Sequence, residues 1–488
     1  MTRLVIVIAR SAATKQSHRE RAKSAPWVWI GLRAAVATLL TLACAAGAAA
    51  QEWPSYGGDP GGQRFSDAMQ ITTQNVGRLA PAWIFHTGEH RPAGPKGSSF
   101  EDTPILADGK LLVCTPTDRV FALDPLTGRA LWAFDPKLAA DDRFASSVVA
   151  LDGTTGAFLW SFQTTHHDIW DYDVAAQPSL VTLRQNGHDR PAVVVATKTG
   201  FVFVLDRDTG HPLFPVTERP VPASDVPGEA ASPTQPVPSA PPPLVPQRLG
   251  PDDAWGVAFL DRWLCRRQIE KLRSDGLYTP PSLRGTIIYP FTGGGVNWGG
   301  GAFDQKDGLY IVNTMNVANV VRLIPRAEYA AARAAAPHAE IGLGLGTPYA
   351  AERTRLFSIF GVPCNPPPWG TLAAVDLAAG TIRWQVPLGS MAFGLFRGLP
   401  NLGGPIVTAS GLVFIAAAND DKLRAFDVGT GRELWQASLP AGGQATPMTY
   451  VAGGRQFVVI AAGGHARMGS KFGDAVVAFA LPAAGAGS

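Results

Sequence analysis

The apolar positions of this chain come in short runs that turn-forming residues separate. The runs Phe121–Leu123, Val149–Leu151 and Val202–Leu205 are each followed directly by Asp. Long stretches with an apolar period of 3.6 residues, which would predict amphipathic helices, are scarce. Short apolar runs between Gly, Pro, Asp and Asn are typical of strands. The pattern therefore predicts an all-β protein.

One motif recurs along the chain: apolar residues, Asp, a short turn that ends in Gly, and then an aromatic residue. The copies are Phe121–Trp132, Val149–Trp160, Ala374–Trp384 and Ala425–Trp435, with a degenerate copy at Phe203–Phe214. Each copy predicts two strands around a tight turn, whose Gly accepts a positive φ. The Trp would dock on the neighbouring repeat. Such repeats indicate a β-propeller, with unrelated hairpins as the alternative.

The spacing between the Asp residues of successive copies shows a fault. Intervals of 54 and 51 residues suit one four-stranded blade with loops. The interval from Asp206 to Asp376 is 170 residues, which leaves room for about two more blades and an insertion. The interval from Asp124 to Asp152 is only 28 residues, too short for a blade. We therefore expect that a segment is missing between residues 134 and 144.

The N-terminus predicts an export signal. Residues 1–33 carry seven Lys or Arg against Glu20 alone, and the uncharged run 34–47 then leads to Ala48–Ala50. We expect cleavage after Ala50 and a periplasmic protein, with a retained anchor as the alternative. The propeller would then span residues 51–482, followed by a flexible tail at 483–488.

Composition changes this picture little. Hydrophobic residues make up 46% and charged residues 17% of the chain, which is typical of a well-buried globular protein. The excess of basic residues lies mostly in the predicted signal, so the remaining chain is slightly acidic and nucleic acid is not an expected partner. In an oxidising compartment we expect Cys265 to pair with Cys364, which leaves Cys114 as a buried thiol. The Pro-rich stretch 220–251 predicts a solvated, polyproline-like insertion, and 328–339 a short surface helix.

The candidate chemistry is concentrated in residues 166–173. These eight residues hold two imidazoles, three carboxylates and two aromatic rings, and Lys198 follows Asp171 by 27 positions. Such a cluster at a strand end could supply a general base, a proton relay or a cation site. A hydrogen-bonded turn that closes a blade is the alternative for His166–Asp168, and we interpret Asp173 as structural.

Longer motifs carry a resemblance to a known family. They are Trp53, Gly57, Phe65–Ser66, His166–Asp171, Ala196–Gly200, Tyr278–Pro281, Trp298–Gly300, Leu402–Pro405, Leu439–Thr449 and Gly463–His465. Together they resemble pyrroloquinoline quinone (PQQ)-dependent dehydrogenases, in particular the periplasmic domain of membrane-bound quinoprotein glucose dehydrogenase. The resemblance implies a propeller of Trp-docked quinoprotein repeats, eight-bladed in the family, with PQQ on its axis under a calcium or magnesium ion.

The resemblance also implies roles for five residues. Asp171 matches the base that takes the substrate's hydroxyl proton. Lys198 matches the cation beside the quinone oxygens. Asn313, Asp420 and His465 match groups that bind or line the cofactor pocket. As alternatives, Asp420 could lie at a solvated hairpin tip and His465 could cap a Gly-rich turn.

The chain departs from the family where the spacing fails, near residues 139–141. About two blades are absent there, which leaves about six blades' worth of sequence. That segment would have carried the cation ligands and the Trp that stacks on PQQ, so the metal ligands of this chain are unknown. A propeller short of blades must close at a lower number or leave strand edges open.

The resemblance implies a periplasmic dehydrogenase that oxidises an aldose or polyol. Its partners would be that small molecule and a quinone or another electron acceptor at the membrane, with which it could associate peripherally. The alternatives are an inactive truncated homologue and a non-enzymatic periplasmic propeller scaffold. A scaffold would not need Asp171, Lys198 and His465 together.

Overall fold

The structure is a computed structural model that describes most of the chain after residue 51. The described residues are 4–9, 52–59, 62–88, 100, 102–107, 109–115, 120–134, 146–152, 158–185, 187–344, 347–391 and 394–482. The expected signal cleavage site, the junction at 139–141 and the tail at 483–488 lie outside them, as does the side chain of Cys114. Among the described helices, none is long and apolar enough to cross a membrane.

Six sheets of the described residues form the propeller, antiparallel except for the pair β2–β25, and the predicted all-β fold is confirmed. Three of these sheets precede the long insertions. The first contains β4 (Ile105–Ala107), β5 (Lys110–Cys114), β6 (Val120–Leu123) and β7 (Ala130–Phe134), and the second contains β8 (Ser147–Asp152) and β9 (Phe158–Gln163). The third contains β10 (Ser179–Gln185), β11 (His188–Ala196) and β12 (Val202–Asp206). The strand β1 (Leu4–Ala9) pairs with β8 from within the predicted signal segment.

The other three sheets contain four strands or more. One joins β16 (Gly301–Asp304), β17 (Leu309–Met315), β21 (Gly370–Asp376) and β22 (Thr381–Pro387). The next joins β2 (Phe65–Ser66), β25 (Ile406–Thr408), β26 (Leu412–Ile415), β27 (Lys422–Asp427) and β28 (Glu433–Ser438). The last joins β29 (Met448–Ala452), β30 (Arg455–Ala462) and β31 (Ala475–Ala480) to the early strand β3 (Ala80–His86), so one sheet combines both ends of the described propeller.

The repeat motif forms the predicted turn and docking contact. In the copy that starts at Phe203, Asp206 Oδ1 accepts hydrogen bonds from the backbone N–H and hydroxyl of Thr209, at 3.0 and 2.8 Å. Trp160 of the preceding copy donates its indole N–H to the carbonyl of Arg207 at 3.0 Å. Its ring covers Gly210, where a Cβ would lie 2.5 Å from the ring. Glycine is therefore required there by both its positive φ and the docked Trp.

The prediction of two further blades between Asp206 and Asp376 is wrong. Val204 of the β10–β12 sheet and Phe303 and Tyr310 of the β16–β22 sheet share one buried cluster, so these sheets are direct neighbours. The interval instead holds insertions. They begin with the hairpin of β13 (Val216–Pro220) and β14 (Thr234–Pro238) and the helix α1 (Phe259–Ile269). A side sheet of β15 (Thr286–Ile288), β18 (Asn319–Pro325), β20 (Tyr349–Arg355) and β19 (Glu340–Gly342) follows, with the helix α2 (Tyr329–Ala335) between β18 and β19. A further hairpin, β23 (Ser390–Met391) and β24 (Phe396–Arg397), follows β22.

The Pro-rich stretch 220–251 is not simply a polyproline-like excursion, since its first part is paired. Pro236 and Pro238 lie in β14, opposite Glu218 and Val216 of β13. Each strand of a two-stranded ribbon has an unpaired outer edge, and proline is tolerated where its missing N–H would face outward. The short helix predicted in 328–339 and the pairing of Cys265 with Cys364 are confirmed by α2 and by a buried disulfide.

The packing changes where the interval between repeats is too short. Trp160 on β9 is 7% exposed, whereas Trp132, at the equivalent position on β7, is 45% exposed. In the described chain β8 and β9 are the two blade strands that follow β7, against four in a complete blade. A half-exposed docking Trp beside a half blade is the packing expected where neighbouring blades are missing.

Candidate functional site

The predicted site residues lie near loops that connect the sheets around the axis. Lys198 follows β11, and the adjacent Thr197 accepts a backbone hydrogen bond from Val296 at 3.0 Å. Further around, Asn401 bridges the ends of two sheets, because its amide donates to the carbonyl of Thr314 at 2.8 Å and its backbone pairs with Ala418. The fold therefore brings residues that are far apart in sequence to one end of the sheets.

Asp171, Lys198 and Asp173 form the charged centre of the site. Lys198 Nζ lies 3.2 Å from Asp171 Oδ1 and 2.5 Å from Asp173 Oδ1. The Lys198 side chain is 9% exposed and that of Asp173 14%, whereas Asp171 is 39% exposed. Asp173 therefore holds the buried ammonium in place, and Asp171 presents a carboxylate that a small molecule can reach.

Asp168 shapes the loop that carries Asp171. Its carboxylate accepts hydrogen bonds from the backbone N–H groups of Trp170 and Tyr172 and from the Ser146 hydroxyl, each at 3.0 Å. These bonds stabilise a turn in which Asp171 has the left-handed φ of 67°. Burial raises the pKa of Asp168, although the three hydrogen bonds act in the opposite direction. Asp168 is thus a supporting group.

His166 and His167 are directed towards the Pro-rich hairpin. The His166 ring contacts Gln163 at 2.7 Å and Glu218 at 3.1 Å. His167 Nε2 lies 3.8 Å from Glu229. Their contacts therefore anchor the hairpin to the propeller.

Arg353, a second cation that the sequence did not predict, also contacts Asp171. Arg353 on β20 places Nη2 3.4 Å from Asp171 Oδ2. Burial raises the pKa of Asp171, while the charges of Lys198 and Arg353 act to lower it. Desolvation and the two cations thus act on the pKa of this carboxyl group in opposite directions, an arrangement common among groups that exchange protons.

Asn313 lies on β17 with its side chain buried against Asn401. Its amide nitrogen donates to Asn401 Oδ1 at 2.7 Å, and within the described residues its own Oδ1 has no hydrogen-bond partner. A buried amide oxygen without a partner is costly, and a bound polar molecule or water would satisfy it. Asn313 is therefore a buried polar group to which a cofactor can bind, and its role stays a prediction.

Asp420 is engaged in a buried ion pair. Both of its carboxylate oxygens contact the guanidinium of Arg424, one at 3.0 Å, and its Oδ2 also accepts from the backbone N–H of Ser390 at 2.9 Å. Arg424 is 1% exposed and Asp420 7%. Asp420 is therefore buried near the axis, not at a solvated hairpin tip, and its charge is compensated by the protein itself.

His465 begins a short 3₁₀ turn at residues 466–468. Its ring Nδ1 accepts a hydrogen bond from the backbone N–H of Met468 at 3.3 Å, and its backbone N–H donates to Ser470 Oγ at 2.8 Å. The capping interpretation of His465 is therefore correct, while contact with a cofactor stays a prediction.

The described residues do not fit a calcium or magnesium site. Such a cation takes six or more oxygen ligands, several of them carboxylates. No three His, Cys, Asp or Glu side chains come together in the part of the chain that the structure describes.

Comparison with known proteins identifies the propeller. The family model for the PQQ glucose/ethanol/alcohol dehydrogenase β-propeller domain matches residues 53–142 and 137–458, in two pieces that meet where the repeat spacing fails. Quinoprotein glucose dehydrogenase A of Acinetobacter calcoaceticus is 40% identical over 428 residues, 84% of this chain and 53% of that protein. A probable quinate dehydrogenase (quinone) of Xanthomonas campestris pv. juglandis is 43% identical over 365 residues, 71% of this chain and 46% of that protein.

These two relatives are about twice as long as the part that the chain spans. The quinoprotein glucose dehydrogenase of Escherichia coli K12 is 30% identical over 629 aligned positions that cover 88% of this chain. That alignment exceeds the 488 residues of the chain, so the relative carries long segments without a counterpart here.

Solved structures agree with the fold. A europium-containing methanol dehydrogenase matches with a TM-score of 0.58 at 18% identity, over 88% of this chain and 98% of the other. At that identity the likeness concerns the fold alone. The family model covers most of the chain: this chain belongs to the PQQ-dependent glucose/ethanol/alcohol dehydrogenase β-propeller family.

Proposed function

We propose that the chain is a PQQ-dependent dehydrogenase that oxidises a hydroxyl group of an aldose or polyol and passes the electrons to a membrane quinone. The observation that carries the proposal is the contact of Asp171 with the buried Lys198 in a propeller of this family. Its relatives include a glucose dehydrogenase and a probable quinate dehydrogenase, which supports an alcohol group as the reacting function.

Oxidation of an alcohol carbon removes a proton from its hydroxyl and a hydride from its carbon. PQQ, when bound, supplies the electrophile that accepts the hydride. Asp171 takes the hydroxyl proton, because its side chain is accessible and accepts a proton in its ionised form. The neighbouring Arg353 keeps that ionised form accessible despite the burial that raises its pKa.

Lys198 stabilises negative charge that develops at the cofactor end of the site. Its ammonium is almost fully buried, where a charge interacts more strongly than in water. Asp173, at 2.5 Å, orients this ammonium. Asn313 contributes a fixed, buried amide on the same axis. These groups are arranged before any ligand binds, which is the condition for electrostatic stabilisation.

We also propose that the protein works in the periplasm, after cleavage of the signal behind Ala50, where it can associate peripherally with the membrane. The basic, then apolar N-terminus supports export. The disulfide between Cys265 and Cys364 supports an oxidising compartment. The enzyme would transfer its electrons to the acceptor quinone at the membrane surface.

A second candidate, an inactive homologue that has lost part of the propeller, is favoured by two observations. Trp132 is half exposed beside the half blade of β8 and β9. Within the described residues no acidic cluster suits a divalent cation.

One experiment separates the two candidates. The purified chain is mixed with PQQ and Ca²⁺, PQQ binding is measured by calorimetry, and dye reduction is followed with glucose, myo-inositol and quinate. An active enzyme binds PQQ and turns over. Asp171→Asn then lowers kcat by a factor of about 10² to 10⁴ with PQQ binding unchanged, while the exposed control Asp189→Asn has no effect. Failure to bind micromolar PQQ would overturn the enzyme and support the inactive homologue.

A further inference from the structure

A cavity of about 190 Å³ opens beside the axial end of β17. One water accounts for about 30 Å³ of liquid, so the cavity has room for a small ring with substituents. Phe291, Met315 and Trp369 contribute an apolar wall. Met315 is two positions from Asn313 on the same strand, which connects the cavity to the candidate cofactor end. Apolar walls with a few polar groups are typical of small-molecule sites.

The mouth of this cavity is cationic. Arg355 and Arg467 both line it, and both side chains are exposed. The Arg355 guanidinium donates to the carbonyl of Arg467, so the two residues are in contact. In the described part of the chain neither guanidinium forms an ion pair with an acidic side chain. Two uncompensated guanidinium groups at one mouth favour a carboxylate, which each can bind through two N–H groups.

An unpaired amide lies deeper in the same cavity. Asn319 lines the cavity and is 9% exposed, and its Oδ1 has no hydrogen-bond partner among the described residues. Asn319 of β18 is the direct cross-strand partner of Arg355 of β20. Paired residues of adjacent strands project from the same face of a sheet. A ligand held by Arg355 therefore finds an acceptor for a hydroxyl group next to it.

The same strand connects this mouth to the candidate base. Arg353 and Arg355 are two positions apart on β20, and alternate residues of a strand share a face. Arg353 already contacts Asp171, at 3.4 Å. The distance along two residues of a strand is roughly 7 Å, which is comparable to the span of a six-membered ring with its substituents. A carboxylate on Arg355 would thus lie about one ring's span along β20 from the residue that contacts Asp171.

We propose that this cavity binds a cyclic polyhydroxy acid. Its carboxylate is bound by Arg355 and Arg467, its ring lies against Trp369, and a hydroxyl group donates to Asn319 Oδ1. A neutral aldose could use the wall and the amide but has no group for the two cations. Turnover of the acid rests on the proposed function, whereas its binding does not.

The test measures binding and turnover separately, with quinate as the acidic probe and myo-inositol as the neutral ring polyol. Calorimetry on the full chain, with and without PQQ, gives the binding constants. We expect quinate to bind more tightly than myo-inositol. Arg355→Gln and Arg467→Gln should each weaken quinate binding roughly tenfold to hundredfold, the range for a charge-assisted hydrogen bond, with myo-inositol unaffected. Arg355→Lys should recover part of the loss.

Arg322→Gln is the matched control, because Arg322 lies on β18 and pairs with Glu352. Equal binding of quinate and myo-inositol, or equal losses in Arg355→Gln and Arg322→Gln, would overturn the proposal. So would a loss of PQQ binding in Arg355→Gln, which would assign the cations to the cofactor. Quinate binding that depends on Arg355 in a chain without turnover would support the cavity assignment while contradicting the proposed function.

Discussion

At the scale of single residues, the proton affinity of Asp171 depends on opposing contributions. Burial favours the neutral acid, and the cations Lys198 and Arg353 favour the carboxylate. Lys198 is buried and shared with Asp173, whereas Arg353 is one-third exposed and bound less tightly to its partners. Arg353 is therefore the contact through which the pKa of Asp171 can be changed with least damage to the fold.

This leads to a prediction about pH dependence. The base must be ionised, so the rate rises as pH increases through the pKa of Asp171, which lies above its ordinary value of 3.8. Arg353→Met removes a cation 3.4 Å away and should move this rise to higher pH. The measurement is kcat/KM for dye reduction against pH. Arg322→Met should leave the profile in place; a shift to lower pH in Arg353→Met would contradict the assignment of Asp171.

The residues of the site differ in how far the sequence could predict them. Asp171 and Lys198 lie in long family motifs, and the structure brings them into contact. Arg353 and Asn401 carry no local motif, since their roles depend on pairing with partners more than 80 positions away. For Asp420 the decisive contact is four residues away, yet only the structure shows that Arg424 is buried with it.

At the scale of elements, several repeats are joined to a neighbouring repeat by an aromatic ring that covers a turn glycine. Trp160 covers Gly210, and Trp384 covers Gly431 in the same way, with an indole hydrogen bond to the carbonyl of Val428 at 2.9 Å. The Gly must have a positive φ and must also lack a side chain under the ring. The two requirements can be measured separately, because some glycines of this chain have a positive φ but no ring above them.

Gly210→Ala should therefore destabilise the protein more than Gly187→Ala. Both positions have φ between 70° and 80°, so each substitution carries the left-handed cost of about 1–2 kcal/mol. At Gly187 a Cβ meets nothing within 4 Å, whereas at Gly210 it meets Trp160 at 2.5 Å. The clash should add about 1–3 kcal/mol to the loss in the free energy of unfolding. Urea denaturation measures both, and equal losses would show that the docking contact is not tight.

The elements also show where sequence periodicity is insufficient. The motif predicts the turns at Asp206 and Asp427 correctly, because the Asp and Thr side chains form the turn locally. The 170-residue interval predicts extra blades, but length alone does not distinguish a blade from the side sheet of β15, β18, β19 and β20. That sheet is built from contacts over long sequence separations, which a single sequence does not display.

At the scale of the whole molecule, the packing of the repeats changes after β7. Trp132 and Trp160 occupy equivalent repeat positions but differ in exposure, 45% against 7%. Trp160→Ala should lower the free energy of unfolding by about 3–5 kcal/mol, as for a large buried side chain. Trp132→Ala should cost about 1 kcal/mol, because roughly half of the ring is already in water. Chemical denaturation measures both losses. A large loss in the free energy of unfolding for Trp132→Ala would show that its ring is covered by a neighbouring element in solution.

The pairing of β3 with β31 determines when the molecule can finish folding. Ala80 is the partner of Ala480, so β3 finds its neighbour only after the chain has been synthesised through residue 480. Contacts of such long sequence separation form slowly and at a high entropic cost. A product that stops short of residue 475 leaves β3 unpaired and β30 with an open edge, the kind of surface on which chains associate. The last strand therefore makes completeness of synthesis a condition for a stable, non-aggregating protein.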